Sequence, residues 1–118
     1  MTASTDEILA HHLQAFSAGD VAGILADYTE RSVLITPDGS ALRSPEQIRP
    51  LFAAFVAEFA KPGASFSLSQ RVVEGDVAYI TWTAETADNV YEFGTDTFVI
   101  RDGKIATQTF AAKVMPKG

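Results

Sequence analysis

The stretch NVYEFGTDTFVI, from Asn89 to Ile100, is made largely of residues that favour extended backbone: Val90, Tyr91, Phe93, Thr95, Thr97, Phe98, Val99 and Ile100. It reads as a strand of a buried sheet, yet Asp96 sits in it between two threonines. An unpaired buried carboxylate costs on the order of several kcal/mol, so Asp96 must reach water, have a partner or hold a proton. Working outward, three turn signals, Glu74-Gly75-Asp76, Ala87-Asp88-Asn89 and Arg101-Asp102-Gly103, divide the chain from Ser65 onward. They predict four strands of about ten residues each, joined as antiparallel neighbours.

The N-terminal half reads as helical. Ser4 and Glu7 form a capping-box pattern ahead of Ile8, Leu9, His12, Leu13 and Phe16 at helical spacing, and Gly19 ends that helix. Asp20 caps a short second helix whose buried side carries Val21, Ile24, Leu25 and Tyr28. A small hairpin follows, with Ser32 to Thr36 extended, a Pro37-Asp38-Gly39 turn and a return through Ala41 and Leu42. The third helix takes Ser44 as its cap and Pro45 at its first position, and Ile48, Leu51, Phe52, Phe55, Val56 and Phe59 form its apolar stripe. Pro50 predicts a kink or an irregular first turn, and Lys61-Pro62-Gly63 is the stop.

Three helices followed by a four-stranded meander predict an α+β fold in one domain spanning residues 1–118, with a curved, mostly antiparallel sheet wrapping the helices. The strands are apolar on both faces. Val77 and Tyr79 alternate with Ala78, Ile80, Trp82 and Ala84. One face can cover the helices, and the other is expected to meet the same sheet of a second copy, giving a homodimer through the strands between Ser65 and Lys113.

With 47% apolar and 20% charged residues and a mean hydropathy of +0.08, the chain has the profile of a packed globular protein. Its net charge is −6, and Lys and Arg are scattered, which argues against nucleic acid or an anionic membrane surface as partner. Without cysteine it offers no disulfide, thiolate nucleophile or zinc–thiolate site. No Gly-rich phosphate loop, GxSxG elbow or HExxH spacing occurs, so neither metal nor cofactor is expected. The start MTASTDEILAHH lacks a basic and apolar leader, which makes a cytoplasmic location the expectation.

Among groups able to do chemistry, His12 falls on the apolar stripe of the first helix, four residues from both Ile8 and Phe16, while His11 falls on the wetter side with Gln14 and Ala18. His12 reads either as a core histidine bonded to backbone or as a polar group on a pocket wall. Asp96 alternates with Gly94 and Phe98 and shares their face, and the same count brings Glu92 to that face. Glu85, near a strand end, is open to the same two readings as Glu92, pocket or solvent. Tyr28, Tyr79, Tyr91 and Trp82 can pack in the core or an interface, or offer a phenol or indole donor.

The Ala18-Gly19-Asp20 helix end, YTERSVLITPDG, the Ser44-Pro45-Glu46-Gln47-Ile48 helix start and EGDVAYITWT with GTDTFVIRDGKI together resemble the SnoaL-like, ketosteroid-isomerase-like branch of the nuclear-transport-factor superfamily over nearly the whole chain. The resemblance implies a cone-shaped α+β barrel enclosing an apolar pocket, commonly in a homodimer. Ketosteroid isomerases use a carboxylate base and an oxyanion hole of a tyrosine and a protonated aspartic acid. GTDTFVI matches Asp96 to the oxyanion-hole aspartate, while His12 falls at the tyrosine and Thr36, before Pro37, at the base. One of three positions is kept and the base is lost, so ordinary steroid isomerisation is not expected.

What the resemblance and the residues then imply is a small-molecule pocket with His12 and Asp96 as neighbouring catalytic groups, the histidine acting as acid and base. Phe16, Tyr28, Thr36, Phe55, Trp82, Glu92 and Phe98 would bind the ligand. The expected activity is cofactor-independent proton transfer, of isomerase, cyclase or dehydratase type, on an apolar carbonyl-bearing substrate. The alternative is a non-catalytic ligand-binding or dimerisation domain of the same fold.

Overall fold

The computed structural model describes residues 3–118. Helix α1 spans Thr5–Ser17, α2 Val21–Leu25 and α3 Ser44–Ala60; the strands are β1 Tyr28–Ile35, β2 Ala41–Arg43, β3 Ser65–Glu74, β4 Val77–Glu85, β5 Asn89–Arg101 and β6 Lys104–Pro116. The helix starts and stops follow local chemistry. At α1 the Ser4 hydroxyl accepts from the Glu7 N–H and the Glu7 carboxylate accepts from the Ser4 N–H, the capping box that the spacing predicts. Gly19, at φ 67°, turns the chain out of α1, and the Asp20 carboxylate caps α2 through the Gly23 N–H.

Two local expectations are corrected. Tyr28 does not lie on α2, which closes at Leu25; it opens β1, where it pairs in parallel register with Ile105. The β-favouring run from Tyr28 to Ile35, together with a partner strand remote in sequence, overrides the helical spacing. Ser44 does not cap α3: it sits at φ 66°, and the Gln47 side chain accepts from the Arg43 N–H instead. Pro50 lies inside α3, which continues through it to Ala60. So early in the helix, the proline forgoes a single bond to the Glu46 carbonyl.

The sheet has the order β2-β1-β6-β5-β4-β3. β3 to β6 form the antiparallel meander that the three turns predict, and β1 alone pairs in parallel, with β6. Register shifts in β3–β4, β4–β5 and β5–β6 bend it around the helices into an open cone, with β2 and β3 as its edges. Leu9 of α1, Ile48 and Phe52 of α3, Leu34 of β1, Ile80 of β4, Phe98 of β5 and Ile105 of β6 meet in the core. Val72, Val77 and Tyr79 are among the exposed large apolar residues.

Candidate functional site

The helices and the concave side of the sheet do not fill the space between them: α1, α3 and β1 with β3 to β6 enclose a cavity of about 520 Å³. Eight aromatic side chains stand on its wall, Phe16, Phe52, Phe55, Phe59, Phe66, Trp82, Phe98 and Phe110, with His12, Asp96 and Gln108 as the polar groups that are not at its exposed mouth. Of the residues singled out in the sequence, Phe16, Phe55, Trp82 and Phe98 are on this wall together with His12 and Asp96.

Strand register positions the carboxylate. Asp96 of β5 stands opposite Ile80 of β4 and Phe110 of β6, while Trp82 and Gln108 sit diagonally across from it. Asp96 Oδ1 accepts from the Trp82 indole N–H at 2.8 Å and Oδ2 from the Gln108 amide N–H at 2.9 Å. The Tyr28 hydroxyl donates to Gln108 Oε1, which turns the amide so that its nitrogen faces Asp96. Gly94 lies opposite Trp82, and a Cβ there would overlap the indole ring, so glycine lets the indole lie across β5 and reach Asp96. Burial raises the Asp96 pKa to about 6 even though both donors pull it down.

His12 is fully inside, its ring in edge contact with Phe98 at 5.1 Å, Phe52 at 5.6 Å and Tyr28 at 6.2 Å between centroids. Burial, helped by neighbouring His11, lowers its pKa to about 4, so the imidazole is neutral at pH 7. Its Nδ1 has no hydrogen-bond partner among the described residues. The sequence makes His12 and Asp96 neighbours, but no hydrogen bond joins them: the Asp96 oxygens accept from groups on the flanking strands, and His12 Nδ1 accepts from none of the described residues. The two share a cavity wall instead.

Three further expectations change. Tyr28 is buried behind Gln108 and is not on the wall; burial raises its phenol pKa well above the ordinary value. Thr36 belongs to the turn after β1: its hydroxyl donates to Asp38 at 2.5 Å and its N–H to the Ser40 carbonyl, away from the cavity. Glu92 points outward and pairs with Lys113 at 3.0 Å, because β5 shifts register between Tyr91 and Phe93 and reverses the alternation counted from Asp96. Tyr91 takes the inward place, stacks near Trp82 at 5.6 Å and donates its hydroxyl to Glu58 of α3. Thr86 and Asn89 also donate to Glu58; burial pushes that carboxyl up, but the donors outweigh it and hold it below its usual value. Glu85 is exposed and pairs with Lys117.

Sequence reasoning passed over Gln108, although two-residue alternation back from Phe110 gives it the same face. It also missed a second carboxylate, this one buried. Asp27 receives the His11 Nδ1 at 2.8 Å from both oxygens. Among the described residues no helix is long and apolar enough to cross a membrane.

A SnoaL-like domain model matches residues 9–108. The chain belongs to the SnoaL-like family. Among solved structures it is similar to an NTF2-like protein of unknown function from Mesorhizobium loti, at 27% identity and a TM-score of 0.78, over 92% of this chain and 90% of that one. The epoxide hydrolase/cyclase-like enzyme SalBIII, of pyran ring formation in the polyether salinomycin, shares the fold at 16% identity and a TM-score of 0.78, over 92% and 90% of the two chains. An NTF2-like protein of unknown function from Burkholderia xenovorans does so at 20% identity and a TM-score of 0.76, over 92% and 82%. No curated protein matches.

Proposed function

We propose that the cavity binds a small apolar, carbonyl-bearing molecule and that Asp96 moves a proton on it, in a reaction of isomerase, cyclase or dehydratase type. One observation carries this reading: a carboxyl raised to about 6 stands in a ring-lined cavity, aimed by two fixed donors. A base works best when its pKa lies near the working pH, and above about 6 Asp96 is ionised and able to take a proton from a carbon next to a carbonyl. A ligand between the aromatic rings is shielded from water except at the mouth, which strengthens the polar contacts inside. SalBIII, a cyclase-like enzyme on the same fold, is in keeping with this.

The competing reading is a binding domain without catalysis, favoured by the loss of a carboxylate at Thr36 and by the bonds that already occupy both Asp96 oxygens. The two separate in one experiment. Cyclic ketones are incubated with the protein in deuterated water, exchange at the carbon beside the carbonyl is followed by NMR, and binding is followed by the fluorescence of Trp82, the sole tryptophan. Wild type should catalyse exchange, and Asp96→Asn should bind equally well while losing about 10²- to 10⁴-fold in rate. Binding without exchange in the wild type would establish the second reading.

We also infer that the protein pairs as a homodimer through the outer face of the sheet, where Val72, Val77 and Tyr79 are exposed. Tyr79→Arg should shift sedimentation toward the monomer, because an unpaired charge would be buried. A wild type that sediments as a monomer at micromolar concentration rejects the dimer.

A further inference from the structure

Taking the cavity as a ligand site, we propose that His12 is its neutral hydrogen-bond donor, carrying its proton on Nε2, and that the ligand is an uncharged molecule offering an acceptor oxygen to His12 and a proton to Asp96. Most other donors on the wall already have acceptors within the protein. The Trp82 indole N–H and one of the two Gln108 amide hydrogens point at Asp96, and the Tyr28 hydroxyl points at Gln108. Ser17 and Ser65 belong to the exposed mouth. That leaves the imidazole and the second amide hydrogen of Gln108, and of these only the imidazole has an edge free of any other bond.

Which nitrogen holds the proton follows from the packing. Nδ1 is closed off from solvent and has no partner among the described residues. Buried N–H groups are almost never left unpaired, whereas an unshared lone pair is tolerated more often, so the proton belongs on the other nitrogen. Phe98, Phe52 and Tyr28 meet the ring at interplanar angles of 65°, 76° and 72°, which fixes its orientation. With the Nδ1 edge shut in, the edge the imidazole can present to the cavity is the one bearing Nε2.

The charge of the ligand follows from its neighbours. A neutral His12 gives the cavity no cation, while Asp96 supplies a negative charge at neutral pH, its carboxyl titrating near 6. A second anion in this apolar space would meet repulsion without compensation. A neutral ketone or enol fits, its oxygen on His12 and its O–H or activated C–H toward Asp96. His12 thereby faces the oxygen on which charge grows as Asp96 takes the proton, and the two act from separate places on the wall.

Nitrogen NMR of 15N-histidine protein at pH 7 tests the tautomer directly, with His12 assigned by its absence in His12→Phe, or in His12→Gln should the first variant fail to fold. A pyrrole-type Nε2 and a pyridine-type Nδ1 are expected; a proton on Nδ1, or on both nitrogens, overturns the inference. As ligand probes, 2-acetylnaphthalene and 2-naphthoate are titrated against Trp82 fluorescence at pH 8. The ketone should bind, should shift the Nε2 proton and should weaken roughly 2- to 10-fold in the His12 variant, while naphthoate binds less tightly than the ketone. A ketone that binds both proteins equally and leaves Nε2 unmoved overturns the role of His12 but leaves the cavity as a ligand site. If the tautomer is as stated but neither probe binds, the ligand half of the inference falls together with the reading of the cavity.

Discussion

Asp27 is buried and Asp96 half-buried on the cavity wall, and burial pushes both carboxyls upward, but their surroundings differ. Asp27 lies where α2 gives way to β1, against His11 of α1, with Lys104 near enough to pull its carboxyl back down. Its own carbonyl accepts from the Ile105 N–H at the start of β6, so the site joins three elements and stands apart from the ring-lined cavity. Asp96 is met by an indole and an amide, neither of which can carry charge, and it faces about 520 Å³ of ring-lined space. A partner that can hold the opposite charge closes a carboxylate into the fold. Neutral donors orient it and leave its charge for whatever enters beside it. The two adjacent histidines take part in the same division: His11 answers its aspartate, and His12, about 100° further round α1, answers none.

The largest expected effect is on the pH dependence of stability. The Asp96 pKa rises from about 3.9 unfolded to about 6 folded. Its contribution is therefore complete below about pH 4 and is lost as pH rises through 6. His12 is lowered to about 4 from an unfolded value of about 6.5. Its contribution is present above pH 6.5 and is lost as pH falls through 4. Between pH 4 and 6 the two slopes oppose each other and nearly cancel in the wild type. His12→Phe should leave a stability that falls relative to wild type across this range, and Asp96→Asn one that rises, each by on the order of 3 kcal/mol. Urea unfolding at pH 4, 5 and 6 reads both slopes, and variants that track the wild type would mean that neither group titrates as a buried one.

Gly94→Ala sharpens the same contrast by disturbing Asp96 without touching it. The added methyl overlaps the Trp82 ring, so the indole must move away from β5. A cost of about 2 kcal/mol is expected from the overpacking. Losing the indole bond should also raise the Asp96 carboxyl further, since that donor lowers it now. Carboxyl-carbon NMR titration checks the direction, with Asp27 in the same spectrum expected to stay where it is. An unchanged Asp96 titration would show that the indole does not govern it.

The order of elements was legible because it depends on short-range chemistry. The Ser4–Glu7 box, Gly19 and three polar turns each act within a few residues, and together they mark most of the fold. The inward face of His12 was legible for the same reason, since helical spacing is rigid over two turns. What failed was whatever a remote partner decides. Tyr28 is a strand residue because β6, remote in sequence, lies beside it, and Glu92 points outward because a one-residue shift in β5 cancels the alternation. The bond between His11 and Asp27 spans 16 positions and two turns of the chain, and helical phase alone says nothing of it. Thr36 shows the remaining limit: a residue can fall at a family's catalytic position and still be folded into a turn.

His11→Gln gives the smallest effect and the cleanest separation of the two aspartates. His11 is about half exposed, with 51% of its side chain accessible, whereas the Asp27 side chain is 6% exposed, so the substitution alters the rim of the pair and leaves its buried member in place. A hydrogen bond to a charged group is worth about 1.5 to 3 kcal/mol, and glutamine can return part of it as a neutral donor, so a loss near 1 kcal/mol in urea unfolding at pH 7 is expected. Since the His11 bond and charge both hold the Asp27 carboxyl down, that carboxyl should titrate higher in the variant. His11 also contributes, after burial, to the lowered His12 pKa, so the His12 titration should rise slightly toward its ordinary value. Ketone binding and the Asp96 titration should not change, because neither Trp82 nor Gln108 touches the pair. A shift in the Asp96 titration would mean that the two carboxylates are coupled through α1, and the division between a fold-closing aspartate and a cavity aspartate would no longer hold.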